Sequence, residues 1–242
     1  MSGRPPLPVR AVIKLFRKLG YDYVQLPFSA PRTCNLCGYT GKFRYSGLYY
    51  IRPDALCMSC WSTDRERLLA HYVQAGHWSA DGKAVLHFAP EPKIVDLLRA
   101  RATRYVTADL FVQGVDVAWN VEDIDCGDQE FDAIICSHVL EHVDTPKALS
   151  EMYRVLKPGG RALLMIPIYE GLDTTYTDPD VPESRNWLHF HQHDHVRLIG
   201  RDFRDQIRSA GLELVEFNAP PEVVIKHGMV MGEKIFVASR PE

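Results

Sequence analysis

The sequence predicts an α/β fold, a mostly parallel sheet with helical crossovers, behind a small cysteine-bearing module. Three observations carry this. Phe131–Pro167 reads as strand, loop, helix, glycine turn and strand, a unit that belongs in a parallel sheet with right-handed crossovers. Upstream, Ala84–Phe88 and Tyr105–Asp109 read as two further strands, separated by the helical stretch Lys93–Ala100. Finally, Cys34-x2-Cys37 and Cys57-x2-Cys60 form two doublets separated by nineteen residues.

The 242 residues suffice for one full domain and a small appendage. A net charge of −3 and a pI near 6.4 give no global field for nucleic acid or an anionic membrane. No apolar run reaches the ~20 residues that span a bilayer. Pro5, Pro6 and Pro8 followed by a charged segment replace the apolar core of a signal peptide, so a cytoplasmic protein is expected.

Residues 1–30 form a basic arm. Arg4, Arg10, Lys14, Arg17 and Lys18 accompany Val9, Val12, Ile13, Phe16 and Leu19 on one face of a helix, which suits either an RNA or membrane surface or docking on the main domain. Residues 31–62 carry the doublets. Two thiolates two residues apart on a tight turn both reach one tetrahedral ion, and this spacing is that of a four-cysteine zinc ribbon. Cys34, Cys37, Cys57 and Cys60 are therefore expected to hold a closed, structural Zn2+. Phe43, Tyr45, Leu48-Tyr49-Tyr50 and Ile51 suggest a small sheet too short to build a core without the metal. Thr63 and Glu66 make a capping box, and Leu68, Leu69 and Tyr72 continue the helix.

Residues 63–242 form the main domain. Val115–Trp119 reads as a third strand, and the continuous apolar run Ala133–Cys136 as a strand buried on both faces. Thr145 is expected to cap the next helix, with Pro146 at its first position; Lys157 lies in its last turn, Pro158 stops it and Gly159-Gly160 turns the chain into the strand Arg161–Ile166. A helix from Asp202 to Ala210 and strands Leu212–Phe217 and Lys234–Ala238 follow, with Gly228–Gly232 as a loop. In such a sheet the ligand sits beyond the carboxyl ends of the strands, here at Ser137–His142.

The phrases FDAII (131–135), HVLEH (138–142) and RVLKPGG (154–160), in this order and spacing, resemble the Rossmann-like S-adenosylmethionine-dependent methyltransferases of the type-11 branch. The resemblance implies a doubly wound seven-stranded sheet with a reversed edge strand, and S-adenosyl-L-methionine as cofactor. It departs from the family at the loop after the first strand: His87 stands for the usual acid, Ala89 for the first glycine and Glu91 for the second. Glu91 is then expected to supply the carboxylate that meets the methionine ammonium. A subset of zinc-ribbon methyltransferases carries the same Phe88-Ala89-Pro90-Glu91 run, so the resemblance covers residues 31–242. Asp109, with Leu110 beside it, is placed to accept the ribose hydroxyls. Asn120 and Val121 match the adenine-edge segment, where Asn120 replaces an aspartate. Ser137 and His138 are expected against the cofactor, while Glu141 and His142 fit either an acid–base pair or the packing of a short helix.

Residues 168–200 form a long insertion at the ligand edge, where loops bind substrate. Its histidines at 189, 191, 193 and 195 alternate, as on one face of a strand, which suits a metal site or a polar, aromatic wall. In the resembling family Asp194-His195-x-Arg197 is the recurrent part. His195 is thus the expected general base, oriented by Asp194, and Arg197 a holder for an anionic group. The function expected is O-methylation of a small molecule, a sugar or secondary metabolite. The alternatives are an RNA methyltransferase using the ribbon, disfavoured by the near-neutral pI, and a zinc-dependent interaction module on an inactive fold.

Overall fold

The computed structural model describes residues 30–46 and 52–242. The expected basic helix of residues 1–21, and Leu48–Ile51 of the ribbon sheet, lie outside the described residues. The chain divides into two compact units. One holds the described residues up to His71 together with Ala219–Met231; the other holds Tyr72–Asn218 and Gly232–Glu242. The segment 219–231 thus joins the cysteine-bearing unit, although it follows most of the main domain in sequence.

In the first unit, β1 (Arg32–Thr33) pairs antiparallel with β2 (Thr40–Gly41), and β3 (Arg44–Ser46) with β4 (Arg52–Leu56). Cys34, Phe43 and Cys57 make a small buried cluster. Helix α1 (Asp64–Gln74) starts at the expected capping box: Glu66 Oε2 accepts from the Thr63 amide at 2.7 Å, and Thr63 Oγ1 accepts from the Glu66 amide at 3.3 Å.

In the second unit, β5 (Ala84–Phe88), α2 (Pro92–Leu98) and β6 (Arg104–Ala108) precede β7 (Phe131–Ser137), α3 (Thr145–Val155) and β8 (Leu156–Met165). The insertion carries the short α4 (Asn186–His189), and α5 (Phe203–Ser209) and β9 (Glu213–Asn218) follow it. Helix α6 (Pro221–His227), in the first unit, precedes β10 (Lys234–Ser239). The sheet runs β6-β5-β7-β8-β10-β9, parallel among the first four strands and antiparallel on both sides of β10. Leu86, Ile134, Leu164 and Phe236 are fully buried in its core, with Leu149, Met152 and Ile207 from the helices. Among the described residues no helix is long and apolar enough to cross a membrane.

Four expectations are corrected here. Among the described residues the sheet has six strands, because the expected third strand, Val115–Trp119, is reduced to one bridge between Ala108 and Val117. The reason is local: Asp116 turns its carboxylate back onto Thr107, accepting from the backbone amide at 2.8 Å and the hydroxyl at 2.7 Å, so a side chain takes a ladder position. The reversed strand, β10, lies between β8 and β9 and is not an edge. The cap of α3 is Asp144, which accepts from the Lys147 amide; Thr145 instead donates to the Leu140 carbonyl at 3.0 Å. The helix also ends earlier than Pro158 requires, because Leu156 already pairs with Phe131. Between Leu156 and Arg161 the chain bulges at Gly160, where a Cβ would lie 2.8 Å from the Lys157 carbonyl oxygen.

Candidate active site

The cysteine centre follows from two matching turns. The Gly38 amide donates to the Cys34 carbonyl at 2.9 Å, and the Trp61 amide to the Cys57 carbonyl at 3.0 Å. Both turns close on a left-handed residue, Gly38 at φ 77° and Trp61 at φ 63°. The Sγ atoms of Cys34 and Cys60 are 3.7 Å apart, those of Cys37 and Cys57 are 3.6 Å apart, and all four lie within 4.8 Å of one another. A tetrahedron with ~2.3 Å Zn–S bonds has edges of about 3.8 Å, so the four thiols fit one zinc ion with little adjustment. The hydroxyl of Ser62 lies 3.3 Å from both Cys34 and Cys60. Beside this cluster Arg67 is fully buried, its guanidinium 4.7 Å over the Phe43 ring. It donates to the carbonyls of Ser62, Asp54, Ala55, His227 and Gly228.

In the second unit a cleft of about 650 Å³, with mostly apolar walls, opens at the carboxyl ends of β5, β6 and β7. Of the residues expected at the cofactor, Ala89, Asp109, Leu110, Asn120, Val121 and His138 line it. Ala89 and His138 both sit at positive φ, 46° and 54°, a conformation that costs an L-residue about 1–2 kcal/mol. Ala89 thus takes a backbone shape that glycine adopts far more readily. Asp109 is fixed by its own loop: Oδ1 accepts from the Phe111 amide at 2.7 Å and the Val112 amide at 2.9 Å. Asn120 Oδ1 accepts from the Glu122 amide at 3.0 Å and keeps its second lone pair.

His87, Glu91 and Ser137 are not among the lining residues. His87 is fully buried, with Nδ1 2.8 Å from the Tyr105 hydroxyl and Nε2 2.8 Å from Glu91 Oε2. Both ring nitrogens are engaged, so the contribution of His87 is to hold the Glu91 carboxylate. Burial pushes the Tyr105 phenol up, and the Glu91 carboxylate adds to this, so the phenol stays protonated and can donate to His87. Ser137 Oγ is buried and makes no hydrogen bond.

The insertion is closed at its base by bridges between Ile168 and Ile199 and between Tyr176 and Leu198. Its histidines do not form the expected strand face. His189 ends α4 and lies 3.2 Å from the Tyr176 hydroxyl; His191, at φ 64°, lies 2.8 Å from the Tyr169 hydroxyl. His193 is exposed and lines the cleft edge with Asp194. Only His195 is buried, with Nε2 3.8 Å from Glu141 Oε1. Burial pushes His195 below the ordinary imidazole value against the pull of Glu141, which keeps the ring neutral. The Asp194 carboxylate lies 4.0 Å from His193, while Glu141 lies 3.8 Å from His195 and attracts its proton more strongly than Asp194 does. Arg197 is half-buried, with Nη1 3.5 Å from the Thr145 hydroxyl and Nε without a hydrogen-bond partner. No local signal marks that Glu141 turns inward from its 3-10 turn, Leu140–His142, or that Glu183 and Asn186 of the insertion line the cleft.

Known proteins resemble this chain in sequence and fold. A family model described as "Methyltransferase domain" matches residues 17–217. A ubiquinone/menaquinone biosynthesis C-methyltransferase of Psychromonas ingrahamii is 46% identical over 61 residues, which is 24% of this chain and 24% of that protein. The chain thus matches about a quarter of the length of these curated relatives. Among solved structures, Burkholderia thailandensis 1,6-didemethyltoxoflavin-N1-methyltransferase, with S-adenosylhomocysteine bound, is 17% identical with a TM-score of 0.50, over 74% of this chain and 78% of that one. An S-adenosylmethionine-dependent methyltransferase from Mesorhizobium loti gives a TM-score of 0.51 at 13% identity, over 69% of this chain and 95% of that one. The [4+2]-cyclase SpnF also reaches 0.51, at 15% identity over 76% and 83% of the two chains, so this likeness speaks for the fold and not for the reaction. With a methyltransferase-domain model matching most of its length and a cleft at the carboxyl edge of a Rossmann-like sheet, the chain belongs to the S-adenosylmethionine-dependent methyltransferase family.

Proposed function

We propose that the chain methylates a hydroxyl oxygen of a small molecule in this cleft, and that the four cysteines hold a structural Zn2+. The observation that supports the first part most is the cleft itself. It has the size and apolar walls of a small-molecule site, an acid at the end of β6 and imidazoles at its far side. Bound S-adenosylmethionine supplies a methyl group already activated by its sulfonium charge. Asp109, with Leu110, is the proposed holder of the ribose, Asn120 and Val121 of the adenine edge, and Ser137 and His138 of the remainder. Glu91, held by His87, is the proposed partner of the ammonium.

The protein's part is to align the acceptor and to take its proton. His195 is the proposed base, since its buried, neutral ring is the state that accepts a proton; the ring is not itself a lining residue, but its chain neighbours Asp194 and Val196 line the cleft. Arg197 is proposed to hold an anionic group of the acceptor. His195→Ala is expected to lower kcat by about 10²–10⁴-fold and to leave S-adenosylmethionine affinity unchanged by calorimetry. Loss of cofactor binding in that variant defeats the assigned role.

Zinc and cofactor are scored together on protein purified without added ligand, by metal analysis and by mass spectrometry of released nucleosides. One zinc is expected at the cysteines, lost in Cys57→Ser, with S-adenosyl nucleoside retained by the wild type. Zinc-free protein that unfolds at the same temperature as the zinc-loaded form rules out a structural metal.

A further inference from the structure

We infer that Glu141, His142 and His195, with His138 beside them, form a second metal site that takes a divalent cation at the cleft floor. Three of their donor atoms, one each from Glu141, His142 and His195, lie within 4.8 Å of one another. Glu141 is 1% exposed, and among the described residues its carboxylate has no hydrogen-bond donor apart from its own backbone amide and His138. Oε1 lies 3.2 Å from His138 Nδ1 and 3.8 Å from His195 Nε2, so the carboxylate points into the cluster. His195 Nδ1 and His138 Nε2 are buried without a hydrogen bond. A buried carboxylate left this way costs several kcal/mol, and a cation among the imidazoles removes that cost.

The surrounding hydrogen bond favours the same reading. His142 Nδ1 lies 2.8 Å from the Asp194 carbonyl oxygen. That acceptor fixes Nδ1 as the protonated nitrogen and leaves the Nε2 lone pair for a metal, as in histidine ligands generally. The rings of His142 and His195 stand edge to face at 4.9 Å, and tetrahedral edges for ~2.1 Å bonds are about 3.4 Å, so small side-chain rotations close the site. One carboxylate with imidazoles suits zinc, manganese, iron or cobalt over magnesium or calcium. His138 and His142 line the cleft, so the open positions of the ion would meet an oxygen of the acceptor. This consequence rests on the methyl-transfer reading; the metal site itself does not. Without an ion His195 keeps its role as base; with one bound it would serve as a ligand, and in either case His195→Ala slows turnover.

The test titrates the full chain, its cysteine centre zinc-loaded, with MnCl2 and follows free Mn2+ by electron paramagnetic resonance. Manganese is chosen because thiolates bind it weakly. One saturable site is expected, weakened at least about tenfold in Glu141→Gln and in His142→Ala. Pulsed resonance on the wild type is expected to show nitrogen coupling from more than one imidazole, a readout that does not depend on a variant folding. Absence of a site, binding equal in wild type and variants, or a bound ion without nitrogen coupling each overturns the inference. Calorimetry of S-adenosylmethionine on the same wild-type sample reports separately on the methyl-transfer reading.

Discussion

Replacing Arg67 with methionine is expected to destabilise the cysteine-bearing unit by about 3–5 kcal/mol. Two effects oppose each other. Removing a buried guanidinium recovers its desolvation cost, which by itself makes many charge-to-apolar swaps neutral. Here five carbonyl acceptors stay behind, those of Ser62, Asp54, Ala55, His227 and Gly228, and each loses a charge-assisted bond. At roughly 1 kcal/mol or more for each, the orphaned acceptors outweigh the recovered desolvation. Arg67→Lys is expected to recover only part, because an ammonium has three donors and no planar fork. Denaturant unfolding read by zinc release measures both variants. A loss below about 1 kcal/mol in Arg67→Met means that water replaces the guanidinium and that the residue is no keystone.

Asp109→Asn is expected to weaken S-adenosylmethionine binding about 10- to 100-fold, the worth of a hydrogen bond to a charged group at ~1.5–3 kcal/mol. The substitution is chosen because it spares the loop. An asparagine oxygen still accepts from the Phe111 and Val112 amides, as Asp109 Oδ1 does now. What changes is the other half of the group, where an acceptor becomes a donor and the charge is lost. Calorimetry on wild type and variant gives the ratio. Equal affinities, with the fold intact by circular dichroism, remove Asp109 from the cofactor site and leave the cleft's orientation of the donor open to reassignment.

Much of the fold was readable because its signals are local. Ala84–Phe88 became β5 without adjustment, and the capping box at Thr63 and Glu66 formed as its spacing required. The cysteine doublets converged because each lies on its own tight turn. Readings failed where a distant partner decided. The third strand gave way to a carboxylate that returns to Thr107, the alternating histidines were scattered by turns inside the insertion, and Leu156 left α3 to pair with Phe131. Helix α6 was missed entirely. Its terminal Gly228 sits at φ 61°, where a Cβ would stand 3.1 Å from both the Asp54 carbonyl and the Phe43 ring.

The amino-acid sequence on its own determined the α/β class, the position of the ligand edge and the four thiols, since apolar period, turn chemistry and cysteine spacing act over a few residues. Tertiary structure alone decided that Arg67 would be buried among carbonyls, that His87 would hold Glu91, and that Glu141 would turn inward between His138 of its own loop and His195 of the insertion. Burial of a charge depends on what folds over it, and for Arg67 and Glu141 the covering groups include His227, Gly228 and His195, many residues away along the chain.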